Sequence, residues 1–157
     1  MAKRIGKFKV SGKESSISLA DGGTANGVVT FAQGQQSSAV AVTATSDGLT
    51  TGVIPAGATY VTVTSAGANN IVLLPPPVIG TVVWINVGAN GCEVRAGSAT
   101  GTDASDTIAI GANTPSAGHE SALAANMTAL CICTSATAWI GLDIASDNTL
   151  TALQVAG

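Results

Sequence analysis

The residues able to do chemistry in this chain are few and poorly spaced for it. There is one histidine, His119, between Gly118 and Glu120 in a loop-like context. A Ser/His/Asp relay or a three-histidine zinc site has almost no material to draw on. Cys92, Cys131, Cys133 and His119 make up four potential zinc ligands in number. However, Cys131-Ile132-Cys133 places both sulfurs on one side of a strand, unlike the wider cysteine spacing of a zinc knuckle. Three cysteines, an odd number, define no disulfide framework, so buried free thiols in a reducing compartment are expected. Asp103 with Asp106, and Asp143 with Asp147, are the closest carboxylate pairs, and neither has calcium-loop spacing. Phosphate loops, nucleophile elbows and dinucleotide fingerprints are absent from the sequence. Asn126-Met127-Thr128 matches a glycosylation acceptor, which has meaning only in a secreted chain. The expectation is a protein without catalytic residues, metal or cofactor.

The elements that would position any site are read from composition and punctuation. Of 157 residues, 19 are Gly, 19 Thr and 14 Ser, a mixture with poor helix propensity and good turn and strand chemistry. Only 10% are charged, against about 25% in an average soluble domain. Low charge with 46% apolar residues argues against wholesale disorder and for a packed, partnered surface rather than a catalytic cleft. The length suits one domain with a short appendage. We therefore expect an all-β protein, an antiparallel β-sandwich or barrel-like domain with an extended N-terminal arm. Residues 1–27 would be the arm and linker, and residues 28–157 the β domain, with subregions at 28–58 and 59–144.

Charge separates these two parts. Lys3, Arg4, Lys7, Lys9 and Lys13 put five of the six basic residues in the first thirteen positions, whereas all nine acids follow. The arm is formally +5, and the rest, with Arg95 against nine acids, is −8. A basic arm of this kind suits an acidic partner, and Ile5, Phe8 and Val10 between the cations would let it dock rather than only float. The body repels phosphates and has too few aromatics for a stacking platform, so it is not expected to bind nucleic acid. No secretory signal is recognised, and the most apolar stretch, 71–87, carries three prolines and Gly80, which excludes a spanning helix.

Along the β domain, 28–32 and 38–45 read as a hairpin and 50–58 as a connector broken by Pro55 and Gly57. In 59–64, Val61 and Val63 should face inward, and Tyr60, Thr62 and Thr64 outward. A short apolar strand at 70–74 ends at Pro75, Pro76 and Pro77. The segment 81–87 is apolar on both faces, with Val83, Ile85 and Val87 on one and Val82 and Trp84 on the other. That pattern predicts a strand between the core and a subunit interface made by Val82, Trp84 and Tyr60. Asn90-Gly91 predicts a type I′ hairpin joining 81–87 to 92–96. A short strand at 107–111, another within 119–126, a closing hairpin of 128–134 with 138–144, and a tail or edge strand over 145–157 complete the pattern. No fixed repeat of 20 to 50 residues is apparent. The threonine pairs Thr43/Thr45 and Thr62/Thr64 are too few to make the ranks of an ice-binding solenoid.

From Ala58 to Gly141 the chain resembles a β-rich domain of tailed-bacteriophage structural proteins. The resemblance rests on "ATYVTVTSAGANNIVLLPPPVIGTVVWINVGANGCEVRAG", "DTIAIGA" and "LCICTSATAWIG". Within these, Leu74 runs into the prolines, Gly80 precedes Val83, Ile85 and Asn86, Asn90-Gly91 turns, Asp106 and Ile108 mark a short strand, and Trp139 lies in the closing hairpin. The resemblance implies a capsid decoration, or cement, protein: a homotrimer on the outer surface of the virion, made in the host cytoplasm. Its partner would be the major capsid protein, contacted by Lys3, Arg4, Lys7, Phe8, Lys9 and Lys13, with no membrane involved. A virion or tail-fibre module for host carbohydrate is the alternative, and it would need Trp84, Trp139 or Tyr60 as a sugar platform.

Overall fold

The computed structural model describes residues 39–98, 100, 103–105, 107–111, 120–145 and 147–155, all within the compact unit Gln36–Gly157. The basic residues Lys3, Arg4, Lys7, Lys9 and Lys13, together with Phe8, the expected strand at 28–32, Asp106 and His119, lie outside the described residues.

Among the described residues eleven strands are seen: β1 (Val40–Thr43), β2 (Tyr60–Thr64), β3 (Ile71–Leu73), β4 (Val82–Val87), β5 (Cys92–Arg95), β6 (Ala109–Ile110), β7 (Ser121–Leu123), β8 (Thr128–Ser135), β9 (Ala138–Ile144), β10 (Leu150–Ala152) and β11 (Gln154–Val155). They form a seven-stranded sheet in the order β1-β2-β4-β8-β9-β10, with β6 also on β9, and a four-stranded sheet in the order β11-β7-β5-β3. The two sheets close on one apolar core as a sandwich. Val61, Val63, Val83, Ile85, Cys131 and Trp139 come from the larger sheet, and Val72, Val94 and Leu123 from the smaller. Alternation decides which side of each strand enters it: β2 and the first half of β4 expose one residue and bury the next, as the Thr-Val and Val-Trp alternations require.

The pairing is mixed rather than purely antiparallel. β1 with β2, β2 with β4, β3 with β5 and β6 with β9 are parallel, and the remaining ladders antiparallel. For β2 with β4 and β3 with β5 the cause lies in the turns at 65–70 and 88–91, which carry the chain from one sheet to the other instead of folding it back within a sheet. A strand that returns to its own sheet after such an arch points the same way as its predecessor. In the parallel stack Val40 pairs with Val61, Val61 with Ile85 and Ile71 with Glu93.

Asn90-Gly91 thus does not make the expected type I′ hairpin. β4 and β5 belong to different sheets, and Gly91 (φ 69°) alone in the turn has positive φ. The Gly91 N–H donates to the Gly88 carbonyl at 3.4 Å and closes a four-residue turn that ends on that left-handed glycine. A side chain at Gly91 would sit 2.8 Å from the Leu123 carbonyl oxygen, so glycine is needed for both space and conformation. The two arches are stitched together: Asn90 Nδ2 donates to the Ser65 carbonyl at 2.8 Å, and the Gly88 N–H to the Val63 carbonyl at 3.3 Å.

From β7 onward the antiparallel expectation holds. β8 and β9 form the closing hairpin with a bulge between Cys133 and Ser135, β7 falls within 119–126, and the C-terminal segment supplies edge strands to both sheets. The connector after β1 becomes a strap. It runs through a 3-10 turn at Thr50–Gly52 and is bridged to β3 at Thr45–Ile71 and Val53–Leu73. Ile71 and Leu73 face away from the central core, and the strap seals them there. Gly48 (φ 74°) permits the seal, since a Cβ there would lie 2.8 Å from Ile71 Cγ2.

Candidate functional site

The sandwich brings together one extended surface feature, the outer face of the seven-stranded sheet. Strand register builds it in rows. Tyr60, Trp84, Leu130, Leu142 and Ala152 lie side by side across β2, β4, β8, β9 and β10. Val82, Ile132 and Ile140 form a second row. A third runs Ala41, Thr62, Asn86, Thr128, Ile144 and Leu150 across all six strands. None of these residues is charged.

The expected interface residues are therefore neighbours. Tyr60 and Trp84 are paired in register and each 37% exposed, and Val82 is 36% exposed on the same face. Ile140 and Leu150 are more open still, at 44% and 60%. The polar groups of the face satisfy each other in part, since Asn86 Nδ2 donates to Thr128 Oγ1 at 3.0 Å. Next to the start of β4, Val78 and Ile79 protrude on a turn closed by the Thr81 N–H on the Val78 carbonyl at 2.9 Å. The Gly80 N–H anchors that turn on the Cys133 carbonyl.

Leu130, Ile132, Ile140, Leu142, Ile144 and Leu150 extend the face well beyond the three residues expected from sequence. Their signal was present. The segment Leu130-Cys131-Ile132-Cys133 is apolar on both sides, as 82–87 is, but free cysteines next to isoleucine read more readily as plain core than as a two-sided strand. Trp139, in contrast, is 1% exposed in the core and offers no sugar platform. Its Nε1 is buried without a hydrogen-bond partner.

The chemistry-bearing groups are dispersed. Cys92 and Cys131 are buried free thiols whose pKa is pushed up to about 12, chiefly by burial, and they stay protonated near neutrality. Cys133 is shifted upward for the same reason, while its thiol donates to the Ser135 carbonyl at 3.2 Å. On the outer face of the smaller sheet, Arg95 Nη1 lies 3.4 Å from Glu120 Oε1. Burial and the nearby Glu120 raise the pKa of Glu93. A cavity of about 330 Å³ includes Asn69, Cys92, Glu93, Asp143 and Gln154 in its lining. Among the described residues no group of three or more His, Cys, Asp or Glu side chains is gathered to hold a metal ion.

Three of the described acids serve local structure. Asp47 accepts from the Leu49 N–H and the Thr45 hydroxyl, which lowers its pKa, Asp147 accepts from the Thr149 N–H, and Asp143 from the Thr151 hydroxyl. What the arrangement offers is an open, uncharged and largely apolar face over a packed core. Comparison with protein-family models, with curated proteins and with solved structures finds no match to this chain, so the face is interpreted from its own residues.

Proposed function

We propose that the chain is a non-enzymatic structural protein that decorates the outer surface of a virus capsid and stabilises it by bridging neighbouring major capsid protein subunits. In this reading the protein is made in the host cytoplasm and works as a homotrimer, with Val82, Trp84 and Tyr60 in its subunit interface. Lys3, Arg4, Lys7, Phe8, Lys9 and Lys13 dock on the shell, through charge steering and strand addition. It needs no cofactor or metal, its β domain binds no nucleic acid, and it engages no membrane.

The observation that supports it most is the uncharged apolar face on a sandwich whose titratable groups are scattered or occupied in local structure. Such a surface suits assembly, because apolar area removed from water drives association without directional chemistry. The test is co-sedimentation of the purified protein with capsids that lack a decoration protein. Stoichiometric binding that disappears on deletion of residues 1–13, with the β domain still folded, is the expected result. Normal binding by the truncated protein would remove the arm's role, and no binding by the full chain would remove the capsid reading.

A second reading draws on Tyr60 and Trp84, paired in register on the open face. Two adjacent rings can stack on a sugar, which favours a virion or tail-fibre module that binds host carbohydrate. Binding on a glycan array that is lost in Trp84→Ala would favour this reading, and an array without hits would dismiss it.

A further inference from the structure

We infer that neighbouring copies of this chain together cover the whole outer face of the seven-stranded sheet, so that β8, β9 and β10 carry the contact as much as β2 and β4. The inference deepens the oligomeric part of the reading above and rests on it.

Size is the first ground. Six strands at about 4.8 Å spacing span roughly 24 Å, and the six residues of β4 roughly 20 Å, which gives a flat footprint on the order of 500 Å². That is over half of the roughly 800 Å² that each partner contributes to a stable interface.

Charge decides the occupant. Residues 14–157 carry nine acids against Arg95, and every described charged side chain, namely Asp47, Glu93, Arg95, Asp103, Glu120, Asp143 and Asp147, lies off the rows of this face. Two such acidic bodies repel each other at close range wherever carboxylates meet. The neutral face is where they approach without that cost, and like meets like there because each copy presents the same apolar rows. An acidic body is also repelled by an anionic membrane, and a face without a charge offers a charged protein partner nothing to pair with.

The experiment is analytical ultracentrifugation of the full-length protein, without capsids, from micromolar to submillimolar concentration. A mass that is a multiple of the single chain is expected, and Ile140→Glu should reduce it to one chain by putting an unpaired charge within the contact. Ile140 is 44% exposed, so the substitution is accommodated in a folded monomer, as circular dichroism would verify. If Ile140→Glu fails to fold, Leu150→Glu at the more open rim takes its place. A single-chain mass for the wild type at all concentrations, or a multiple that survives both substitutions, overturns the inference. A single chain that pellets with neutral phosphatidylcholine vesicles, or is retained on a glycan, also overturns it. Loss of capsid co-sedimentation with the solution mass intact would count against the decoration reading alone.

Discussion

The two sheets of the sandwich differ most on the sides that face away from the shared core. On the four-stranded sheet the outer apolar residues, Ile71 and Leu73, are sealed beneath the strap of residues 45–53, and Glu93, Arg95 and Glu120 occupy positions beside them. On the seven-stranded sheet, Tyr60, Val82, Trp84, Ile140 and Leu150 remain open and no charge interrupts them. Both faces carry apolar residues in register, but among the described residues only one is covered by another segment. Among the described residues, the polypeptide covers two side chains on one side and leaves the rows of a six-strand face open on the other, and the proposed contact surface rests on that difference.

The largest effect should come from the covered side. Leu73→Ala empties a fully buried position beneath the strap and should cost about 2–5 kcal/mol in chemical denaturation. Gly48→Ala comes next. It forces a side chain into a left-handed backbone and against Ile71 and Leu73, and should cost about 1–3 kcal/mol. A wild-type midpoint in either variant would mean that the strap does not seal the face.

A smaller effect concerns how the strap is pinned. The Leu49 N–H, and then the Thr45 hydroxyl, hold the Asp47 carboxylate below the ordinary carboxylate range. Its folded pKa is thus lower than its unfolded one, so the unfolded chain binds more protons in that window and stability rises with pH. The contribution is complete above the ordinary value of about 3.9 and fades as pH falls through the folded value. Melting curves between about pH 2.5 and 6 should show a shallower acid slope in Asp47→Asn than in the wild type. Identical slopes would remove Asp47 from the account. The smallest effect belongs to the open face. Ile140→Thr, measured at dilution where single chains prevail, should change stability by no more than about 0.5 kcal/mol, because that side chain is half in water in the isolated chain. A loss comparable to Leu73→Ala would show that the two faces are not different in kind.

Much of this comparison was legible in the sequence, and the reason it was incomplete is physical. Alternation in 59–64 and 81–87 assigned Val61, Val63, Val83, Ile85 and Val87 to the core and Tyr60, Val82 and Trp84 to the outside, because side-chain direction in a strand follows from parity alone. The β8–β9 hairpin was likewise readable, since Ser135-Ala136-Thr137 joins two strands of matching length. Parity does not say to which sheet a strand goes. Asn90-Gly91 reverses the chain equally well in a hairpin and in an arch, and only contacts distant in sequence, such as Asn90 with Ser65, select the arch. The parallel stack escaped notice for a related reason. Its pairs, Val40 with Val61, Val61 with Ile85 and Ile71 with Glu93, lie 21, 24 and 22 residues apart, so the spacing is uneven and the repeated property is an inward side chain rather than a residue type. The rows of the open face needed that topology, because they join residues up to about a hundred positions apart that share nothing in sequence but parity.

The most direct test of the open face as a contact surface is hydroxyl-radical footprinting of the full-length protein in dilute and concentrated solution, read at its two tryptophans and at Tyr60. Trp139 is sealed in the core and serves as an internal reference, whereas Trp84 and Tyr60 are neighbours on the open face. The account predicts strong oxidation of Trp84 and Tyr60 at low concentration, marked protection of both at high concentration, and an unreactive Trp139 throughout. Oxidation of Trp84 and Tyr60 that stays the same at every concentration would contradict it.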